Sequence, residues 1–330
     1  MAVSGSSLAF VALALLQGRG TAPKPATRTE PPVYPFLIEP IDCLWGHLSE
    51  GLFREPIGVF YEPEARELFV ADSKNARIGI FDEHFTPIFS FGGPTIFVEP
   101  KMVSVDRDGT IYVLDSARSD VRSFNYRGEP LEVLAFARPT EADAPASAVV
   151  VGAFTRDREG RWYLVDRELG RVFVYSKERE FLREVPPPAG AERYAAPVDV
   201  AVSAQGLVAV CDQRGDPALH VFDDQQKLVG AFGGRDIGLS DFTSPSGVAF
   251  DEFENLFAVD LLRHDVKVFT PAGGFLAHFG GWFTPETRGR AAGELLYPTD
   301  VEIVPGGPIF VAERFGQRVQ IFERKPRPTR

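Results

Sequence analysis

The side chains in this sequence best suited to proton or metal chemistry come at a fixed beat. Asp72, Asp115, Asp166, Asp212, Asp260 and Glu313 follow one another at spacings of 43, 51, 46, 48 and 53 residues, each closing a short apolar run. A catalytic carboxylate is needed once, whereas an acid required at every repeat is architecture. Each is expected to accept N–H bonds in the turn that follows it, in some copies with the arginine five residues on (Arg77, Arg171, Arg318) as partner. The histidines offer less. His47, His84, His220, His264 and His278 include no pair at a chelating spacing. The chain has no G-x-S-x-G elbow, no phosphate-binding glycine loop and no CxxCH haem site.

The elements that must carry these residues are strands. The stretch Pro245–Gly281 holds four apolar runs, Val248–Phe250, Leu256–Val259, Val266–Phe269 and Phe275–Phe279, separated by Asp-, Asn-, Gly- and Pro-rich turns. Runs this short, rich in Val and Phe, read as a four-stranded antiparallel meander. One such sheet cannot bury both faces, so the unit must repeat. The six anchor acids mark six copies, at the period at which a chain lays down one blade. The predicted fold is all-β: a six-bladed β-propeller of four-stranded blades. The sixth copy ends at Phe322 and leaves only Glu323–Arg330, too short and basic for another strand. Ile41–Gly46 matches Phe275–Gly280 in character, so an N-terminal strand is expected to complete the last blade, with Pro40 just before it. Cys43 and Cys211 then fall on blades six and four, which are not neighbours, and read as unbridged apolar residues.

Composition bounds the partners. The 46 acidic and 35 basic residues leave a net charge of −11, which disfavours a phosphate backbone as ligand. Leu8–Leu16 is a nine-residue apolar core, too short to span a bilayer and suited to the centre of a secretory signal, although no Lys or Arg precedes it. The expected layout is a signal at 1–22, a Pro-rich linker at 23–35, the propeller at 36–325 and a basic tail at 326–330. Signal removal would leave an exported (periplasmic or extracellular) protein with no membrane span.

The run P-x-G-V-A-F-D, N-L-F-A-V-D, V-K-V-F, F-G-G in Pro245–Gly281 resembles the NHL repeat, and the likeness recurs at Val70–Ile78 and Gln317–Phe322. It covers about residues 41 to 323. What it implies is architecture, because propellers host many unrelated functions. In such propellers the first strand of each blade lines a central channel. Its start here is Pro56-Ile-Gly58, Pro100-Lys-Met102, Val151-Gly-Ala153, Pro197-Val-Asp199, Pro245-Ser-Gly247 and Pro298-Thr-Asp300. Where gluconolactonase-like enzymes carry Asn, Asp or Glu metal ligands, and an amidating lyase a His, this chain has Ile57, Lys101, Gly152, Val198, Ser246 and Thr299. A lysine there repels a divalent metal, so neither a metal nor any other cofactor is expected. Asp199 and Asp300, one position on, with Lys101, could still hold a cation such as calcium, or a polar small-molecule ligand, at the channel mouth. The plainer reading is that these Asp side chains cap turns.

The repeat is padded between blades, at Phe136–Val149, Pro186–Pro197 and Gly280–Leu295, on the face that carries the channel mouth in propellers. The last of these places Trp282, Phe283, Arg288 and Arg290 in one loop, residue types favoured at protein interfaces. The expectation is therefore a binding or scaffolding module that engages another exported protein through this face, with no catalytic residue assigned. The alternative is a propeller enzyme, lactonase, hydrolase or lyase in type, with a site at the channel mouth.

Overall fold

The computed structural model describes residues 33–47, 50–139, 147–281 and 291–328. Among them stand six four-stranded antiparallel sheets, each running from an inner strand outwards. Blade one spans 56–92, blade two 100–134, blade three 151–185, blade four 197–232 and blade five 245–280. Blade six combines Pro298–Ile303, Ile309–Glu313 and Arg318–Pro326 with the N-terminal strand Phe36–Leu44. The second strand of each blade is buried at nearly every residue, as in Leu256–Asp260. Neighbouring blades cover both its faces, which is why these runs are apolar throughout rather than alternating.

The closing strand arrives from the N-terminus as expected, with corrected bounds. It begins at Phe36 rather than Ile41 and pairs Phe36 with Pro326 through to Leu44 with Val319. Pro40 lies inside it, at a register shift between Pro40 and Asp42. An outermost strand bulging at this point loses no ladder bond to the missing N–H. Its partner runs on past Phe322 to Pro326, so Glu323–Pro326, assigned in part to a tail, belong to the sheet. Gly46–His47 is a separate two-residue strand paired with Gly51–Leu52. Both cysteines are free thiols.

The core lies in six clusters, one at each seam between blades. The seam between blades six and one packs Phe310, Val319 and Ile321 against Phe53, Val59 and Phe81. Phe rings meet edge-on or tilted at 5.2 Å in Phe91–Phe124 and Phe97–Phe124. Each buried Phe contributes about 1.5–3 kcal/mol relative to exposure.

One backbone bond recurs six times and defines a face. The residue opening each turn between strands two and three donates its N–H to the carbonyl just before or beside the inner strand's first residue: Ser73 to Glu55, Ser116 to Glu99, Arg167 to Val150, Gln213 to Ala196, Leu261 to Ser244 and Arg314 to Tyr297, at 2.9–3.3 Å. These turns and the between-blade loops therefore share one face. The anchor acids, all at most 1% exposed, stand behind it. Asp260 accepts from Thr243 and Ser244 N–H in the incoming loop as well as from Leu262 and Arg263 in the turn. Asp115 and Asp212 repeat the incoming-loop contacts through Val98 and Glu99, and through Ala195 and Ala196. The acids thus fasten two loops, where turn capping alone was expected. Arg77 and Arg318 pair with Asp72 and Glu313 as read from the sequence. Arg171 does not pair with Asp166. It meets Glu184, and Arg138 from the loop between blades two and three takes Asp166 at 2.6 Å. A cation reaching in from a padded loop has no fixed offset in the sequence.

Two outcomes follow. Deleting residues 1–46 uncovers the Arg318–Pro326 edge, so the truncated chain should unfold at lower temperature and self-associate in size-exclusion chromatography; a truncation that melts like the full chain would refute the closure. Asp260→Ala leaves the Thr243 and Ser244 N–H groups without their acceptor and removes the farther of two carboxylates, at 3.4 Å, from the fully buried Lys267, which keeps Asp265. That change should cost about 1–3 kcal/mol in denaturant unfolding.

Candidate functional site

Each inner strand opens with a bulge at the same place, between Pro56 and Gly58, Pro100 and Met102, Val151 and Ala153, Pro197 and Asp199, Pro245 and Gly247, and Pro298 and Asp300. A bulge suspends strict alternation, so two successive side chains can face the axis. Ile57, Lys101, Val198, Ser246 and Thr299 accordingly line a cavity of about 20 Å³ together with Met102, Asp199 and Asp300. That space holds about one water.

The structure brings Lys101, Asp199 and Asp300 together here. The Lys101 ammonium crosses the mouth and donates to the carbonyls of Gly152, at 2.7 Å, and Val198, at 3.5 Å. Burial depresses its pKa, while the charges of Asp199 and Asp300 act to raise it. The carboxylates do a second job. The inner edge of each inner strand has no ladder partner, and Asp199 satisfies two such N–H groups, Val200 on its own strand at 2.9 Å and Val248 on blade five at 2.8 Å. Asp300 does the same for Val301 and for Val59 on blade one, both at 2.9 Å. The expected turn capping is thus replaced by bonds that join blade four to five and six to one.

Gly58 on blade one packs against blade two, and Gly247 on blade five packs against blade six. A Cβ on Gly58 would lie 2.1 Å from the Lys101 carbonyl, and one on Gly247 would lie 2.8 Å from the Thr299 carbonyl. Both glycines are therefore required for close approach, not for an unusual φ.

Glu302, which sequence reasoning missed, sits deeper on blade six and accepts one long bond, from Tyr61 N–H at 3.4 Å. Burial, then the Asp300 charge, pushes it up to about 8. Burial with the Asp300 charge lifts Asp199 to about 7, and burial lifts Asp300 to about 6. The mouth does not fit a divalent metal, because an ammonium already fills it and each oxygen of Asp199 and Asp300 already accepts a backbone N–H. Among the described residues no three His, Cys, Asp or Glu side chains come together as a cation set. The histidines are dispersed. His264 accepts the Tyr297 N–H at 3.0 Å, and His220 stacks edge-on against Tyr194. Trp282, Phe283, Arg288 and Arg290 lie outside the described residues.

The between-blade face carries most of the exposed apolar side chains outside the outer strands. Trp45, Leu52, Val98, Ile237, Leu239, Leu262 and Phe315 lie there, against Tyr126 and Phe253 on the opposite face. Arg263 ties this patch together by donating to the carbonyls of Asp236 and Gly238. Phe315 meets Tyr297 at 4.9 Å, and Tyr297 meets His264 at 4.6 Å. An apolar band with two arginines, Arg263 and Arg314, so runs across blades four to six.

No family model and no curated protein matches the chain. Solved structures do. Virginiamycin B lyase from Staphylococcus aureus aligns at TM-score 0.54 and 12% identity, over 87% of this chain and 99% of that one. A structural-genomics protein of unknown function from Bacteroides thetaiotaomicron aligns at TM-score 0.60 and 14% identity, over 87% and 76%. A luciferin-regenerating enzyme aligns at 0.58 and 10%, over 88% and 95%. At such identities the likeness shows the six-bladed fold alone.

The three raised carboxyls carry a pH signature. Between about pH 4 and pH 8 the folded chain holds protons there that the unfolded chain, with ordinary carboxyls near 4, has released, so their contribution to stability falls as pH rises. Glu302→Gln removes one of them. Its unfolding midpoint should match the parent near pH 5 and exceed it by a few degrees near pH 8.5. Parallel curves for parent and variant would show that Glu302 is not held protonated.

Proposed function

We propose that the chain is an exported NHL-type propeller that binds another protein against its between-blade face. The observation that carries this reading is the band Ile237, Leu239, Leu262, Tyr297 and Phe315, with Arg263 and Arg314 at its edge. Exposed apolar side chains gathered on one face of a rigid scaffold, mixed with aromatics and arginine, have the composition of a contact surface. The negative net charge fits a protein partner better than a nucleic acid. Export rests on the Leu8–Leu16 run, which lies outside the described residues. The alternative, an enzyme working at the channel mouth, draws on the lyase fold neighbours. It has against it a mouth of about 20 Å³ crossed by Lys101.

The test is capture of a defined partner from the native envelope by the tagged full-length chain. Leu239→Ser with Phe315→Ser should abolish retention of the protein that the parent chain holds, with the unfolding midpoint unchanged. Equal retention by parent and double variant would remove this face from consideration.

A further inference from the structure

Below Lys101 the channel widens into a chamber of about 230 Å³, lined by Phe60, Phe154, Phe250, Asp199, Asp300 and Glu302 among others. Through Arg156, Val202 and Phe250 it continues into a vestibule of about 320 Å³ among the turns between strands one and two of blades three to six. The chamber is therefore reached from the face opposite the between-blade loops. Its volume lies below that of drug-sized pockets, which limits an occupant to about ten non-hydrogen atoms.

The chemistry of the walls selects among such molecules. Among the described residues the three carboxylates accept backbone N–H groups and no charged side chain. The two neighbouring cations are committed elsewhere. Lys101 is bound to the Gly152 and Val198 carbonyls. Arg156 pairs with Asp106 at 3.0 Å and stacks on Tyr112 and Trp162, with its guanidinium carbon 4.6 and 4.4 Å from the ring centres. Glu302 receives a single long hydrogen bond, and its second oxygen has no donor among the described residues. An enclosed acid without a counter-charge calls for a partner that the protein does not supply. Three phenylalanine rings stand beside it, and aromatic faces favour a poorly hydrated organic cation over a hydrated metal.

We propose that this chamber binds a small primary ammonium with an apolar tail, the ammonium between Glu302 and Asp300 and the tail against Phe60, Phe154 and Phe250. The site is independent of the protein-binding face, so either can fail without the other. Binding draws a proton off the carboxyls, because an adjacent cation favours their charged form.

The experiment is calorimetric titration of the full chain near pH 8 with phenethylammonium and butylammonium, alongside neutral 2-phenylethanol, anionic phenylacetate and calcium chloride. Millimolar or tighter binding of an ammonium, no binding of the neutral and anionic analogues, and an observed heat that varies with the ionisation enthalpy of the buffer, which reports proton release, are expected. Glu302→Gln should weaken the ammonium by about tenfold or more. Should that variant fail to fold, Thr155→Leu, which fills the chamber wall, must abolish binding instead. No ammonium binding, equal binding of 2-phenylethanol, stronger binding of calcium, or an unchanged affinity in a folded variant would each overturn the proposal.

Discussion

A twisted four-stranded sheet has two faces and two edges that must be accounted for, and one interaction lets this molecule deal with all of them: the pairing of Phe36–Leu44 with Arg318–Pro326. It makes blade six a full sheet and so gives blades one and five equivalent neighbours. Every second strand can then be apolar on both sides, and every seam can hold its own cluster of Phe, Val and Ile. The anchor acids depend on the same closure. A carboxylate at most 1% exposed is tolerable only while two loops present N–H groups to it, and those loops are held in place by neighbouring blades.

The inner edges pose the opposite problem, since no further strand fits at the axis. Asp199 and Asp300 answer it by bonding to Val248 and Val59 across the seams. The cost is electrostatic, because carboxylates near the axis raise one another's pKa. Lys101 offsets part of that charge and closes the mouth. The side of the channel best furnished for a ligand is thereby the side away from the padded loops.

Much of the fold could be read from residue order. Blade number, the anchor column and the N-terminal closure all follow from short apolar runs with a period near fifty residues, because a blade must end where its turn chemistry ends. What could not be read depends on ring geometry. Arg138 replaces Arg171 at Asp166 because a long loop happens to bring it there. The roles of Asp199 and Asp300 require knowing that the Val248 and Val59 N–H groups stand across the seams from them. Glu302 gave no signal, being one acid in an alternating strand. The pro-rich starts of the inner strands pointed to the channel, but not to the bulge that turns two consecutive residues inwards.

The closing pair also fixes an order of events for a chain made from its N-terminus. Lys325 and Glu39 meet across 286 residues, so Phe36–Leu44 waits unpaired until Arg318–Pro326 has emerged. Contacts of such sequence separation form late and slowly. Until that last strand emerges, blade six lacks the outer pairing that completes the ring.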